Sequence, residues 1–410
     1  MTSHTQVPPG GQSNTSAGRI PFGPSVIVVA AVVVFSARGI DRLRMASLFA
    51  EDGQVFLSDA YSDGFRAIVE PYAGYLHLIP RALSAFLSPA TVTATPILYV
   101  AAAMAVHLAM LTPALSPRIG WLIPTPMLRA ALFAVLCVLP PMWEAYGNIA
   151  NLIFVGGICL LLLVLSGDPR TRAGRIAELL VVGALGLSGP LSVFLVPFVV
   201  WRWWRNGRTS HSLRVLAAAA VSAVIQLSVY LTSQRSTPGG GTPALLARAA
   251  YERVGGGWLV GDADLIGGTT FLSVAAAAWL VSAVGVSVYA LPRTSPVLWL
   301  LFAVLLGAAV TAYGSAMVAS PLHFQRHIVV PSAIVAVQLF AVLGSSVRLW
   351  VKAVAAVCLV AGIGGIVHDL IPPAYPCRPD LSGLQECVDS EASKCSQAVF
   401  DGTWSVVLTR

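Results

Sequence analysis

The chain has 410 residues, of which 56% are hydrophobic and only 10% are charged, against roughly 25% charged in an ordinary soluble domain. That balance excludes a soluble enzyme, and the excess of 25 Lys and Arg over 18 Asp and Glu is not a nucleic-acid footprint, because the basic residues sit in short loops between apolar stretches. A mean hydropathy of +0.78 and recurring apolar runs, each crossing needing about 20 residues, define an all-α, polytopic transmembrane helical bundle.

Residues 1–19 are rich in Ser, Thr, Gly, Pro and Gln without apolar periodicity, and read as a disordered cytoplasmic N-terminus. Arg19 precedes an apolar run over about 20–37 that looks like the start of a signal peptide. Its cleavage pattern is poor and many spans follow, so it reads as an uncleaved first span. A transmembrane domain over 20–371 then holds further spans near 90–113, 127–142, 149–166, 175–188, 190–204, 213–232, 268–291, 296–318, 326–344 and 352–371. That makes about eleven crossings.

The apolar segment from Tyr75 to Leu87 is short and carries Arg81 in its middle, so it is expected to lie at the interface. Were 75–88 a crossing, either the first loop or the arginines at 170–175 would fall on the wrong side. With the N-terminus inside, the cytoplasmic loops collect Arg118, Arg129, Arg170, Arg172, Arg175, Arg202, Arg205, Arg208, Arg214, Arg293, Arg348 and Lys352, the expected positive-inside bias. The outer side then receives a loop over 41–88, the turn 143–148, the loop 233–267, the turn near 321–325 and a tail over 372–410. The chain is placed as a multi-pass protein of the inner (plasma) membrane, its C-terminus extracytoplasmic.

Within the loop 233–267, Leu245, Leu246, Ala249, Ala250 and Val254 are positioned to lie on the membrane surface. The tail carries Cys377, Cys387 and Cys395, enough for one disulfide and a leftover thiol, with the pairing open. Its alternating TWSVVLT predicts a short strand, so the tail is expected to fold as a small cap.

Chemistry-bearing residues concentrate between Phe49 and Arg81, where Glu51, Asp52, Asp59, Asp63, Glu70, Tyr72 and His77 fall between stretches almost free of titratable groups. Carboxylates are costly beside lipid, so such a cluster marks a functional site. Asp59 and Asp63, four apart, are better explained as a solvated helix face. His77 and His107 read as packed or interfacial rather than metal-ligating.

The Glu51-Asp52 pair just after the first span, together with PLHFQRHIVVP at Pro321 to Pro331, resembles the GT-C superfamily of polytopic glycosyltransferases. These enzymes use polyprenyl-phosphate sugars and carry an acidic motif in the first extracytoplasmic loop. The late segment is similar to an Arg-Tyr-x-x-x-Pro span start, with His327 in place of the tyrosine. The resemblance implies a polyprenyl-phosphate sugar as donor and a cell-envelope glycan or glycolipid as acceptor. Transfer needs a carboxylate within hydrogen-bond reach of the incoming hydroxyl, and Asp52 suits that role, with Glu51 second. It also needs cationic donors on the departing phosphate; Arg326 suits this, with His323, His327 and Arg81 as helpers and Tyr72 and His77 as further substrate contacts.

The outward turn Trp143 to Asn148 could line an acceptor groove, with aromatic faces on sugars and Glu144 and Asn148 on hydroxyls. Membrane-interface aromatics explain it equally well. Asp262 and Asp264 mimic the metal-binding DxD of soluble transferases, but two carboxylates are too few to fix a cation unaided. No metal ligands are assigned; a divalent metal (Mg or Mn), if used, would pair Asp52 with one of them. The alternatives are a lipid-linked-glycan polymerase or ligase, a flippase or transporter of lipid-linked sugars, and a structural subunit. Ser188-Gly189-Pro190 could break a transporter helix, yet the spans offer no buried charge suited to ion coupling.

Overall fold

A computed structural model describes residues 22–233, 239–261, 264–319, 323–376 and 380–410. Its helices are α1 (Phe22–Arg38), α2 (Ile40–Arg44), α3 (Ser58–Asp63), α4 (Leu78–Leu87), α5 (Thr95–Leu111), α6 (Pro126–Cys137), α7 (Leu152–Leu165), α8 (Arg172–Gly186), α9 (Leu191–Arg205) and α10 (Ser210–Thr232). There follow α11 (Pro243–Arg248), α12 (Gly257–Val260), α13 (Asp264–Gly267), α14 (Thr270–Ala290), α15 (Ser295–Tyr313), α16 (Ala316–Ala319), α17 (Val329–Gly344), α18 (Leu349–Val360), α19 (Ile363–His368) and α20 (Ser382–Asp389). The strands β1 (Lys394–Val399) and β2 (Trp404–Thr409) pair antiparallel, the second where the alternating sequence predicts it.

Among the described residues, six helical stretches are long and apolar enough to cross a membrane: Thr95–Leu115, Ser210–Thr232, Thr270–Ala290, Ser295–Tyr313, Gln325–Gly344 and Leu349–His368. Other expected spans hold shorter apolar helices, Gly23–Arg38, Pro126–Cys137 and Leu152–Leu165 among them. Local chemistry sets those lengths. Thr125 caps α6 by accepting from the Leu128 amide, with Pro126 in the first turn, and Pro140-Pro141 follow its end.

Helices α7 and α17 are buried almost all round and form the middle of the bundle. Outer helices such as α10 and α14 expose Val221, Val224, Leu231, Phe271, Val274 and Val281, the apolar surface a bilayer covers. The stretch Leu245 to Val254 departs from its expected place on the membrane surface. Ala249 and Val254 are fully buried in an irregular helical turn packed against α14, while Leu245 and Leu246 are half-buried. Glycines let it in: a Cβ on Gly255 would stand 2.8 Å from the Ala276 carbonyl oxygen.

At one end, the connections around Arg118, Ser166-Gly167 and Arg205 are laced together, the Gly167 amide donating to the Arg118 carbonyl at 2.9 Å and Arg205 to the Ser166 carbonyl at 2.9 Å. The same end holds a buried charge inside one of the expected spans. Glu178 on α8, buried, takes Arg202 at 3.0 Å, His211 at 2.7 Å and Arg118. Arg202 also reaches Asp168 at 3.2 Å, which accepts from Ser212, Asn206 and Thr209. A carboxylate matched so fully is a structural node rather than a free coupling group.

At the other end the segment 380–410 caps the first loop. Successive side chains of one helical face, Gln54, Ser58 and Ser62, accept the backbone amides of Ser405, Val407 and Thr409 on β2, at 3.2, 3.0 and 3.3 Å. The rungs fit because four helical residues rise about 6 Å and two strand residues about 6.8 Å. A Cβ on Gly53 would stand 3.0 Å from methyls of Val399 and Val406, so any larger residue would have to push these valines back by a few tenths of an ångström. Cys387 and Cys395 form a disulfide, which settles the pairing between those two; Cys377 and the Asp262 half of the DAD motif lie outside the described residues.

Candidate functional site

Arg38 at the end of α1 binds the carbonyls of Cys137, Leu139 and Asp369, at 3.2, 2.9 and 3.1 Å, and so ties three segments together at the capped end. At the same end a cavity of about 190 Å³ opens. Its polar lining comes from Glu51, Asn151 and Arg326, its rings from Phe56, Tyr72, Tyr75, His77, Phe154 and Tyr313.

The two ring-bearing tyrosines of the loop are set by a tight turn. Ala73 and Gly74 have φ of 50° and 88°, and Tyr72 and Tyr75 exchange backbone hydrogen bonds of 3.0 and 3.1 Å across them. His77 stacks on Tyr75 with centroids 4.4 Å apart, and its Nδ1–H donates to the Tyr75 carbonyl at 3.2 Å. Burial, with Arg81 adding to it, pushes the imidazole down to about 3, so the ring is neutral. Tyr72 is pushed up to about 12 by burial first and the Glu51 charge second.

Arg326 comes from the far side. Phe324 adopts the left-handed region at φ 66°, an uncommon state for a bulky residue, and turns the chain into the helical turn Gln325–Ile328. Glu144 then grips Arg326 twice, its Oε1 in an ion pair with Nη1 at 3.0 Å and its Oε2 accepting from the Arg326 amide at 3.1 Å. The guanidinium lies over the Phe154 ring at 5.8 Å, and its Nη1 is 3.9 Å from Glu51 Oε1. Its Nε and Nη2 take no partner among the described residues. Glu51 is pushed up by burial, against the opposing pull of Arg326.

The neighbouring carboxylates Glu51 and Asp52 thus part company. Asp52, first choice for proton acceptor from the sequence, is buried off the cavity lining, its oxygens accepting the amides of Ile149 at 3.2 Å and Ala150 at 2.8 Å. Burial outweighs these two bonds and pushes it up to about 8. It braces the loop 143–151, and its committed oxygens fit poorly with metal ligation. Among the described residues no three His, Cys, Asp or Glu side chains converge.

The same loop is pinned elsewhere. Asn148, expected on an acceptor hydroxyl, is fully buried and donates to the Glu144 carbonyl at 2.8 Å and to the Tyr375 hydroxyl at 2.7 Å. Asn151 adds a second donor to the Glu144 carbonyl at 2.8 Å. The Tyr375 ring is covered by the Arg42 guanidinium 3.5 Å from its centroid.

Arg81 is buried away from the cavity in an ion pair with Asp59 at 3.0 Å, so Asp59 is not simply solvated. His327 packs among Phe154, Tyr313 and Phe324 behind the lining, and exposed His323 contributes its carbonyl to Arg253. His107 is packed between Phe35 and Tyr146. The sequence singles out Glu51, Tyr72, His77, Glu144 and Arg326 but misses Tyr75, Asn151, Phe154 and Tyr313. The Ala73-Gly74 turn flanked by tyrosines is a signal for Tyr75; the other three lie in or beside apolar helices that carry none.

Comparison of the chain with family models, with curated proteins and with solved structures found no match. Fold and site together define a polytopic, all-α membrane protein with a polar, aromatic-walled cavity at one end of its bundle.

Proposed function

We propose that the protein is an integral-membrane glycosyltransferase of GT-C type, moving a sugar from a polyprenyl-phosphate donor to a cell-envelope glycan or glycolipid. The observation that carries this reading is the meeting of Glu51, early in the chain, with Arg326, late in it, on one cavity at the end of an apolar bundle. Glu51 is the proton acceptor, since it lines the cavity and stands beside Arg326, with burial raising its pKa and so its basicity. Arg326 holds the phosphate through the Nε and Nη2 edge that Glu144 leaves open, where negative charge grows as the bond to the sugar breaks. The rings of Tyr72, Tyr75 and Phe154 give the sugar faces to stack on. Direct displacement inverts the anomeric centre.

We read the helical segments at the eleven expected positions as the crossings and the capped end as extracytoplasmic. The arginines around Arg118, Arg172 and Arg205 at the opposite end and the disulfide in the cap support that orientation. The test is to purify the protein, identify by mass spectrometry the lipid-linked sugar that co-purifies, and follow its consumption. Glu51→Gln is expected to stop turnover while lipid still binds, and Arg326→Ala to lose binding. Undiminished turnover in both variants refutes the assignment.

A further inference from the structure

The charge around the cavity says which sugars it can take; this inference rests on the transferase reading above and concerns the glycosyl group. Among the described residues lining the cavity, Arg326 is the one cation. Two carboxylates face it, Glu51 and Glu144. Nearby Arg81 is matched by Asp59 at 3.0 Å and adds no free positive charge.

The two glutamates are in different states of use. Both oxygens of Glu144 are committed to Arg326. Glu51 makes no side-chain hydrogen bond to another described residue: its Oε1 stands 3.9 Å from Nη1, and its Oε2 is buried without a partner. A buried acceptor left without a donor is unfavourable, so the cavity favours a ligand that brings a donor to Glu51. A sugar hydroxyl or ammonium does so. A uronic acid carboxylate brings another anion into a space that Glu51 already lines, whose one cation is paired with Glu144, and which holds a phosphate once the donor is bound.

Size narrows the ligand further. About 190 Å³ is below the roughly 300–1,000 Å³ of pockets for drug-sized molecules, and suits one sugar ring. We propose that the cavity takes a single uncharged or amino-substituted monosaccharide and rejects uronic acids, with Glu51 as the residue that makes the distinction.

The experiment measures binding by calorimetry of three short-chain citronellyl phosphodiesters, of glucose, glucosamine and glucuronic acid, to the detergent-purified full chain. The glucuronic acid compound is expected to bind about tenfold or more weaker than the other two, as for a like charge added at close range. In Glu51→Gln that gap is expected to shrink. The ranking on the unmodified protein needs no variant, so it decides even if Glu51→Gln fails to fold. Equal or tighter binding of the glucuronic acid compound overturns this proposal and leaves the transferase reading standing, as does a gap unchanged in a folded Glu51→Gln. Failure of all three to bind overturns the transferase reading and this proposal with it.

Discussion

The two glutamates around Arg326 give a prediction with opposite signs. In Glu144→Gln the amide oxygen can keep one bond, to the Arg326 amide now held at 3.1 Å. Its NH2 must then face the guanidinium that Glu144 Oε1 holds at 3.0 Å, donor against donor. The ion pair to a buried guanidinium is lost, and its remaining carboxylate is Glu51, at 3.9 Å; breaking a buried pair costs about 3–5 kcal/mol. We expect a loss of about 3 kcal/mol. At about 2.1 cal/mol/K per residue, a chain of 410 residues loses roughly 1 °C per kcal/mol, so the midpoint falls by about 3 °C. Glu51→Gln removes no hydrogen bond to another described residue and relieves a buried carboxyl whose ionisation the fold opposes, so its midpoint should stay level or rise. Scanning fluorimetry of both variants in detergent at pH 7.5 reads the difference. A neutral Glu144→Gln, or a Glu51→Gln that falls as far, refutes the division of labour between them.

Asp52 makes stability depend on pH. Its pKa rises from an ordinary 3.8 to about 8 in the fold, so the native state binds the extra proton. Its contribution is full below pH 4 and is lost as pH climbs towards 8. A melting series over that window should slope downward, and Asp52→Asn should flatten it; an unaltered slope counts against the buried placement. Replacing Cys387 and Cys395 together by serine opens a short loop closed by a bridge between residues eight apart, at a cost of roughly 2–3 kcal/mol. Hydrogen exchange should then quicken in residues 380–410 and leave α7 and α17 protected. Glu178→Gln strips one buried carboxylate of its charge beside Arg202, Arg118 and His211 and should destabilise by about 3–5 kcal/mol, read as a lowered midpoint with donor binding retained.

Apolar runs carry the bundle openly, because a helix in lipid must be apolar wherever it faces the chains. Where a run ends is less legible. Proline and capping threonine shorten α6 to 12 residues, and the sequence alone leaves open whether so short a helix crosses. Glu51 and Arg326 were legible because charges are rare beside apolar stretches. Their division from Asp52 was not, since its burial depends on the amides of Ile149 and Ala150, 97 and 98 residues away. Glu178 was overlooked for a related reason. It reads as a minor polar residue in an apolar run, and its weight appears only when Arg118, Arg202 and His211 arrive from three other segments. Phe154 and Tyr313 look like any lipid-facing ring until folding turns them inward.

The rungs between Gln54, Ser58, Ser62 and the amides of β2 join positions 347 to 351 apart in sequence. During biosynthesis the helix that begins beside Glu51 therefore emerges long before the strand that will hold it. Through nearly all of translation its three acceptors can turn only to water, and the wall carrying Glu51 lacks its brace. Assembly order thus leaves this wall to be braced only after β2 is made, and a ribosome stalled short of residue 404 leaves a bundle in which the helix beside Glu51 still lacks these three rungs.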